Sequence, residues 1–137
     1  MFSPKGTLVA VECLSRFDSL SISPENFFRY ANTGLRESIF LEHLVLIEKH
    51  KQWSHKNGIS ATINVDDHIL NILLRPEIKN LVGHIGCVHF EVTENSNKLL
   101  NNALATWSDP RSTTLWLDDF GSGNAGISAI RGYHFDY

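Results

Sequence analysis

The sequence predicts an α/β protein whose strands run mostly parallel. Strand-like and helix-like segments alternate along the chain, the pattern of strand–helix units packed around a parallel sheet. Four strand-like segments share one design, with an apolar face and an Asn, Asp or Glu at the carboxyl end. These polar ends recur regularly, because Asn64 and Glu91 are 27 residues apart, as are Glu91 and Asp118. That interval is about one strand–helix unit.

Size and composition favour one ordinary domain. The 137 residues are 42% hydrophobic and 20% charged, which is typical of globular proteins with a core. A net charge of −3 without clustered Lys and Arg argues against a DNA or RNA polymer as partner. Cys13 and Cys87 have neither a disulfide framework nor zinc spacing. The sequence lacks the apolar core of a signal peptide and any run long enough to span a membrane. We therefore expect either a cytoplasmic chain with no membrane segment or a soluble module cut from a larger protein.

The first elements follow from turn and capping residues. Residues 7–11 are predicted as a strand that ends at Glu12. Ser-Pro-Glu at 23–25 is a helix start, so a short helix is expected over 26–31, with Gly34 as its end.

The longest helix is predicted over 37–56, with the stop signal Asn57-Gly58. It carries one apolar stripe, made of Phe40, Leu41, Leu44 and Ile47.

Strands and helices continue to alternate in the second half. Strands are predicted over 59–65, 88–93 and 114–117. Helices are predicted over 67–74, closed by Arg75-Pro76, over 96–107 and over 122–130.

The polar strand ends are predicted to converge. Side chains alternate between the faces of a strand, and in each segment the terminal polar residue lies opposite the apolar face. Ligands bind at the carboxyl ends of parallel strands. If the strands are neighbours, four side chains point to one place: Glu12, Asn64, Glu91 and Asp118. Taken singly, each of these residues could instead cap the following helix or occupy a turn.

The candidate site has the chemistry of a hard-cation centre. Carboxylate and amide oxygens suit Mg²⁺ or Mn²⁺ rather than zinc or copper. Two such ions about 3.5–4 Å apart can serve phosphoryl transfer. Asp118-Asp119 leads into Gly121-Ser122-Gly123, which by itself is a weak phosphate-loop signal because it lacks the lysine and the longer spacing.

The chain carries four motifs in order: Glu-Cys-Leu-Ser-Arg at 12–16, Ile-Asn-Val at 63–65, Glu-Val-Thr-Glu at 91–94 and Asp-Asp-Phe-Gly-Ser-Gly at 118–123. Together they resemble the motifs of EAL domains, the cyclic di-GMP phosphodiesterases. Residues 12–16 are similar to the signature Glu-Ala-Leu-x-Arg, and Asn64 lies in a segment like the family's Asn-bearing strand. Residues 91–94 match Glu-x-Thr-Glu, and residues 118–123 match Asp-Asp-Phe-Gly-x-Gly. The resemblance runs over nearly the whole chain.

The resemblance implies a partial, modified (β/α)₈ TIM-type barrel, with residues 1–137 forming about the N-terminal half of a single incomplete EAL domain, truncated at both ends. It implies hydrolysis of one phosphodiester bond of cyclic di-GMP and two Mg²⁺ or Mn²⁺ ions. It also implies roles for named residues. Leu14 and Arg16 would bind substrate, Glu94 would anchor the loop 120–128, and the metal ligands would be Glu12, Asn64, Glu91, Asp118 and Asp119, of which all but Asn64 are also assigned as catalytic.

The chain also departs from the family pattern. Cys13 replaces Ala, Asn32 stands where Glu is usual, and Asn124-Ala125 replaces Tyr-Ser. The family's later Lys, Glu and Gln motifs are not among the 137 residues. Because these motifs are missing, we expect this chain alone to be inactive. A barrel of this type takes roughly 250 residues, so we also expect weak stability as a monomer, self-association, or completion by a missing segment. The resemblance further implies a homodimer. The alternative function is a catalytically inactive EAL-like module that binds cyclic di-GMP or a protein.

Overall fold

The computed structural model describes residues 1–18, 21–93 and 115–118. Four strands form one sheet in the order β1-β2-β3-β4, and every neighbouring pair is parallel. The strands are β1 (Ala10–Cys13), β2 (Ser60–Val65), β3 (Val88–Thr93) and β4 (Leu115–Asp118). The predicted parallel α/β class is therefore confirmed. The last three strands lie within one residue of their predicted bounds. β1 begins later than predicted, because Leu8 forms an isolated antiparallel bridge with Phe2 instead of pairing with β2.

Helices connect the first three strands. They are α1 (Pro24–Tyr30), α2 (Thr33–Asn57), α3 (Asp67–Leu73) and α4 (Pro76–Ile85). The predicted helices over 96–107 and 122–130 lie outside the described residues.

Side-chain caps decide where α1 and α2 begin. The Ser23 hydroxyl accepts a hydrogen bond from the Asn26 N–H at 3.3 Å, which confirms the predicted start of α1. The prediction that Gly34 ends this helix was wrong. The Asn32 side chain accepts a bond from the Leu35 N–H at 2.9 Å and caps α2, so Gly34 lies inside its first turn.

Helix α2 covers the sheet with the apolar stripe that the sequence predicted. Phe40, Leu44 and Ile47 are buried, and the Phe40 ring lies 6.0 Å from that of Phe90 in β3. The helix ends at Gly58, whose φ of 63° is left-handed. Glycine adopts this conformation at little cost, so the predicted stop is confirmed.

Helix α4 was absent from the sequence prediction, which assigned Arg75-Pro76 only the role of closing α3. Pro76 instead occupies the start of α4, a position that proline favours because the first helical N–H groups need no partner within the helix. The signal was available: Ile78, Val82 and Ile85 recur at helical spacing and are all buried.

The core lies between the helices and one face of the sheet. Residues of that face are almost inaccessible to solvent and pack against α2, α3 and α4: Ala61, Ile63, Val65, Val88, Phe90, Val92 and Leu115. The opposite face carries the polar side chains. In the described part of the chain, no helix combines the length and the apolar character needed to cross a bilayer.

Two neighbouring residues of α2 test this packing. Leu44 is 0% exposed and Val45 is 61% exposed. We expect Leu44→Ala to lower the free energy of unfolding by about 3 kcal/mol, because it removes apolar contacts and leaves a cavity. Val45→Ala should change it by less than about 0.5 kcal/mol. Urea denaturation followed by circular dichroism measures both. Equal effects would show that α2 does not pack as described.

Candidate functional site

Strand register places the predicted site residues on one face of the sheet. Paired residues of neighbouring parallel strands point to the same side. Asn64 in β2 pairs with Glu91 in β3, and Glu12 in β1 pairs with Thr62, which shares the face of Asn64. The three side chains therefore project from the polar face, near the carboxyl ends of three neighbouring strands.

The polar ends are staggered along the sheet. Glu12 lies opposite a position two residues before Asn64, whereas Asn64 and Glu91 are level. Asp118 pairs with Thr93, two residues beyond Glu91. Strands that tilt, as in a barrel, need a stagger of this kind to bring successive ends to a similar height.

A direct hydrogen bond joins the first two residues. The Asn64 Nδ2 group donates to Glu12 Oε1 at 2.5 Å, although 52 positions separate them in the sequence. An amide also carries an acceptor oxygen, so Asn64 can hold the carboxylate in place with its NH₂ group and offer Oδ1 to a cation. This contact connects the edge strand to the strand beside it.

Exposure changes across the site. Glu91 is only 5% exposed, whereas Glu12 and Asn64 are exposed. Burial strengthens the electrostatic interactions that a carboxylate makes, while exposed neighbours leave room for a ligand to enter. The site is therefore buried at Glu91 in β3 and accessible to solvent at Glu12 in β1.

A layer of packed polar and aromatic side chains lies beside the candidate ligands on the same face. His89 Nε2 lies 3.0 Å from Ser60 Oγ, and the His89 ring stacks on Trp116 with a centroid distance of 5.1 Å. Thr62, paired with both Glu12 and His89, is fully buried, and its hydroxyl has no hydrogen-bond partner among the described residues.

The segment after β1 carries the candidate substrate residues. Leu14 and Arg16 are exposed, so both are accessible to a ligand. Ser15 Oγ lies 3.4 Å from His43 Nε2 in α2, a contact that ties this segment to the helix. Burial, and next the nearby Glu12 carboxylate, raise the pKa of the Cys13 thiol, so this residue is a weak nucleophile.

A cavity of about 290 Å³ adjoins the site. Asn64 and Glu91 form part of its lining, together with apolar side chains of α1 and α2 and with Arg36, His43 and Asp66. Sequence reasoning had singled out neither Arg36 nor His43. No motif or spacing marks them, because their importance comes from contacts between distant segments.

The donor set fits a hard divalent cation in its chemistry. Every candidate ligand offers oxygen, which Mg²⁺ and Mn²⁺ prefer. Among the described residues, no three His, Cys, Asp or Glu side chains form a group that could hold a metal. Two of the five predicted ligands fall beyond that search, because the Asp118 side chain and the whole of Asp119 lie outside the described residues, as does Glu94.

Similarity to a curated protein and to solved structures agrees with the motif resemblance. No family model matches the chain. The cyclic di-GMP phosphodiesterase PdeH of Escherichia coli (strain K12) is 27% identical over 138 residues, covering 96% of this chain and 53% of PdeH. The chain thus spans about half the length of this curated relative.

Solved structures show the same fold. The EAL-like domain protein YdiV matches with a TM-score of 0.75 and 18% identity, over 90% of this chain and 56% of YdiV. The EAL enzyme Bd1971, in its cAMP-bound form, matches with a TM-score of 0.58 and 16% identity, over 96% of this chain and 42% of that one. The resemblance to EAL domains is confirmed, and the parallel sheet fits part of a TIM-like fold.

The half-buried His43 gives the fold a pH dependence. Burial lowers the pKa of His43, which outweighs the opposite effect of Glu42. The unfolded chain, with a histidine pKa near 6.5, then binds protons more readily than the folded chain. The folded chain is therefore most stable, as far as His43 is concerned, above about pH 6.5. This contribution to the free energy of unfolding is lost as the pH falls toward the lower pKa of the folded chain.

We therefore expect His43→Gln to reduce the difference in unfolding free energy between pH 7.5 and pH 5.5. Val45→Ala, at an exposed position of the same helix, should leave that difference unchanged because it removes no ionisable group. Urea unfolding at the two pH values provides the comparison. If the difference in unfolding free energy between the two pH values is as large in His43→Gln as in the unaltered chain, His43 is not the source of the pH dependence.

Proposed function

We propose that this chain is the N-terminal part of an EAL-type, metal-dependent phosphodiesterase domain that hydrolyses one phosphodiester bond of cyclic di-GMP. The observation that supports the proposal is that Glu12, Asn64 and Glu91 share one face of the sheet, where Asn64 is hydrogen-bonded to Glu12 and paired with Glu91. Similarity to the cyclic di-GMP phosphodiesterase PdeH supports the choice of substrate.

The cation site is proposed to comprise Glu12, Asn64, Glu91, Asp118 and Asp119, and to hold two Mg²⁺ or Mn²⁺ ions. Their donors are all oxygen, as these ions require. When bound, the cations would lower the pKa of water and offset charge on the phosphate. Such compensation is needed, because several carboxylates on one face repel an anionic substrate.

The chain's own residues divide the remaining tasks. Arg16, exposed after β1, would bind a substrate phosphate, since a guanidinium can donate two parallel hydrogen bonds to phosphate oxygens. Leu14 would line the substrate cleft beside it. Glu91, held in the buried part of the site, would keep its carboxylate fixed during the reaction. Glu94 would anchor the loop 120–128.

The rest of the domain is also proposed by similarity. The present sheet would form about the N-terminal half of a modified (β/α)₈ barrel in a cytoplasmic protein that associates as a homodimer. The second half would contribute a Lys, a Glu and a Gln to the reaction. We infer that these 137 residues alone do not complete the catalytic site.

Substitution of proposed ligands tests the metal assignment. In a full-length version of the proposed domain, Glu12→Gln and Asp118→Asn should each reduce Mg²⁺-dependent hydrolysis of cyclic di-GMP at least about 100-fold. Even changes next to metal ligands cost 10–100-fold. Glu77→Gln, an exposed acid in the first turn of α4, is the matched control and should retain activity. Activity that survives both ligand changes would refute the assignment.

The isolated chain provides a separate test. With Mg²⁺ or Mn²⁺, the 137-residue protein should show no hydrolysis of cyclic di-GMP by chromatography, whereas the full-length version should release the linear dinucleotide. Hydrolysis by the short chain would show that its own residues are sufficient. Binding of cyclic di-GMP without hydrolysis in the full-length version would favour the alternative, a non-enzymatic EAL-like module.

A further inference from the structure

Arg36 joins three segments that meet beside the candidate site. Its Nε donates to the Ala31 carbonyl at 3.1 Å, and one Nη donates to the Phe28 carbonyl at 2.6 Å. The other Nη donates to Asp66 Oδ2 at 2.7 Å. One side chain of α2 therefore holds the end of α1 and the start of α3.

Asp66 connects Arg36 to the end of β2. Its second oxygen, Oδ1, accepts a hydrogen bond from the Ile69 N–H at 2.9 Å and caps α3. Asp66 also follows Asn64 by only two residues, directly after β2 ends at Val65. Fixing Asp66 limits the directions in which the end of β2, and with it the Asn64 amide, can point.

The region around Arg36, Asn64 and Asp66 is less tightly packed with apolar side chains than the rest of the core. The cavity of about 290 Å³ lies here, lined by Arg36, Asn64 and Asp66 among others. Close-packed interiors fix side chains through contacts on all sides, and a cavity removes part of that constraint. Polar contacts that bridge the gap therefore have more influence on local geometry.

We infer that Arg36 is a positioning residue, which acts through Asp66 to keep Asn64 hydrogen-bonded to Glu12 and oriented toward the proposed cation site. This inference rests on the proposed function for its cation, but not for the geometry of Asn64. A charged group that satisfies three acceptors is hard to replace, because lysine lacks the planar, forked donor arrangement.

The chain contains a matched control for this ion pair. Arg75, like Arg36, donates to a carboxylate. Its Nη1 lies 2.6 Å from Oε1 of Glu37, the residue that follows Arg36 in α2. Arg75 sits at the start of α4 and, unlike Arg36, does not line the cavity. Arg75→Met therefore removes an equally short pair from the same helix without touching the connection to Asn64.

The experiment uses the 137-residue chain with two independent measurements. The first is the ¹⁵N NMR signal of the Asn64 side-chain amide, which reports its hydrogen bond to Glu12. The second is the Kd for Mn²⁺ alone, obtained by isothermal titration calorimetry. The variants are Arg36→Met, Arg36→Lys and Asp66→Asn, with Arg75→Met as control. Asp66→Asn preserves a good helix cap and protects against simple misfolding.

We expect the three variants at Arg36 and Asp66 to move the Asn64 amide signal toward the position of an amide without a hydrogen bond. They should also raise the Kd for Mn²⁺ about 10-fold, which is the lower limit for changes at groups that orient metal ligands. Arg75→Met should change neither. If the Asn64 signal stays in place in Arg36→Met, or if Arg75→Met moves it equally, the positioning role is wrong. Full recovery by Arg36→Lys would overturn the argument from three acceptors.

The two proposals fail separately. If the unaltered chain does not bind Mn²⁺ but Arg36→Met still displaces the Asn64 amide, the positioning role stands and the proposed cation site in this chain is wrong. If Mn²⁺ binds equally well to all variants and the amide is unmoved, the cation site stands and Arg36 has no positioning role.

Discussion

The parallel register between β2 and β3 is the constraint on which the rest of the structure depends. Ile63 pairs with Phe90 and Asn64 with Glu91, so one face supplies the core and the other supplies the candidate ligands. Because strand side chains alternate, a slip by one residue would move Asn64 toward α2 and Ile63 toward the polar face. Burying Ile63 and Phe90 against the helices therefore fixes the direction in which the polar residues point.

The two faces of the sheet are consequently coupled. The helix-side face contributes the apolar burial that stabilises the fold, in particular through Leu44 of α2 and Phe90 of β3. The polar face combines the buried Glu91 with the exposed Glu12. Any repacking beneath Asn64 would alter the angle at which it meets Glu12. This explains why a cavity and a multiply bonded arginine beside the site are relevant to its chemistry.

Local signals in the sequence predicted most of the elements, but two of these signals were interpreted wrongly. Ser23 and Gly58 mark helix ends through contacts within a few residues, and both predictions held. The same kind of signal was misread at Gly34, because Asn32 starts a new helix before it. Helix α4 was missed although its own residues carry the periodicity, since Pro76 was interpreted as a stop when it was a start.

By itself the sequence determined the alternation of strands and helices, the apolar stripe of α2 and an oxygen-rich set of candidate ligands with the EAL order of motifs. These features depend on residue type and short-range spacing. Tertiary structure alone decided that Asn64 contacts Glu12, that Glu91 is buried, and that Arg36 reaches Asp66. Such contacts join residues 30 or more positions apart, and only the packing of helices on a sheet in fixed register brings them within bonding distance.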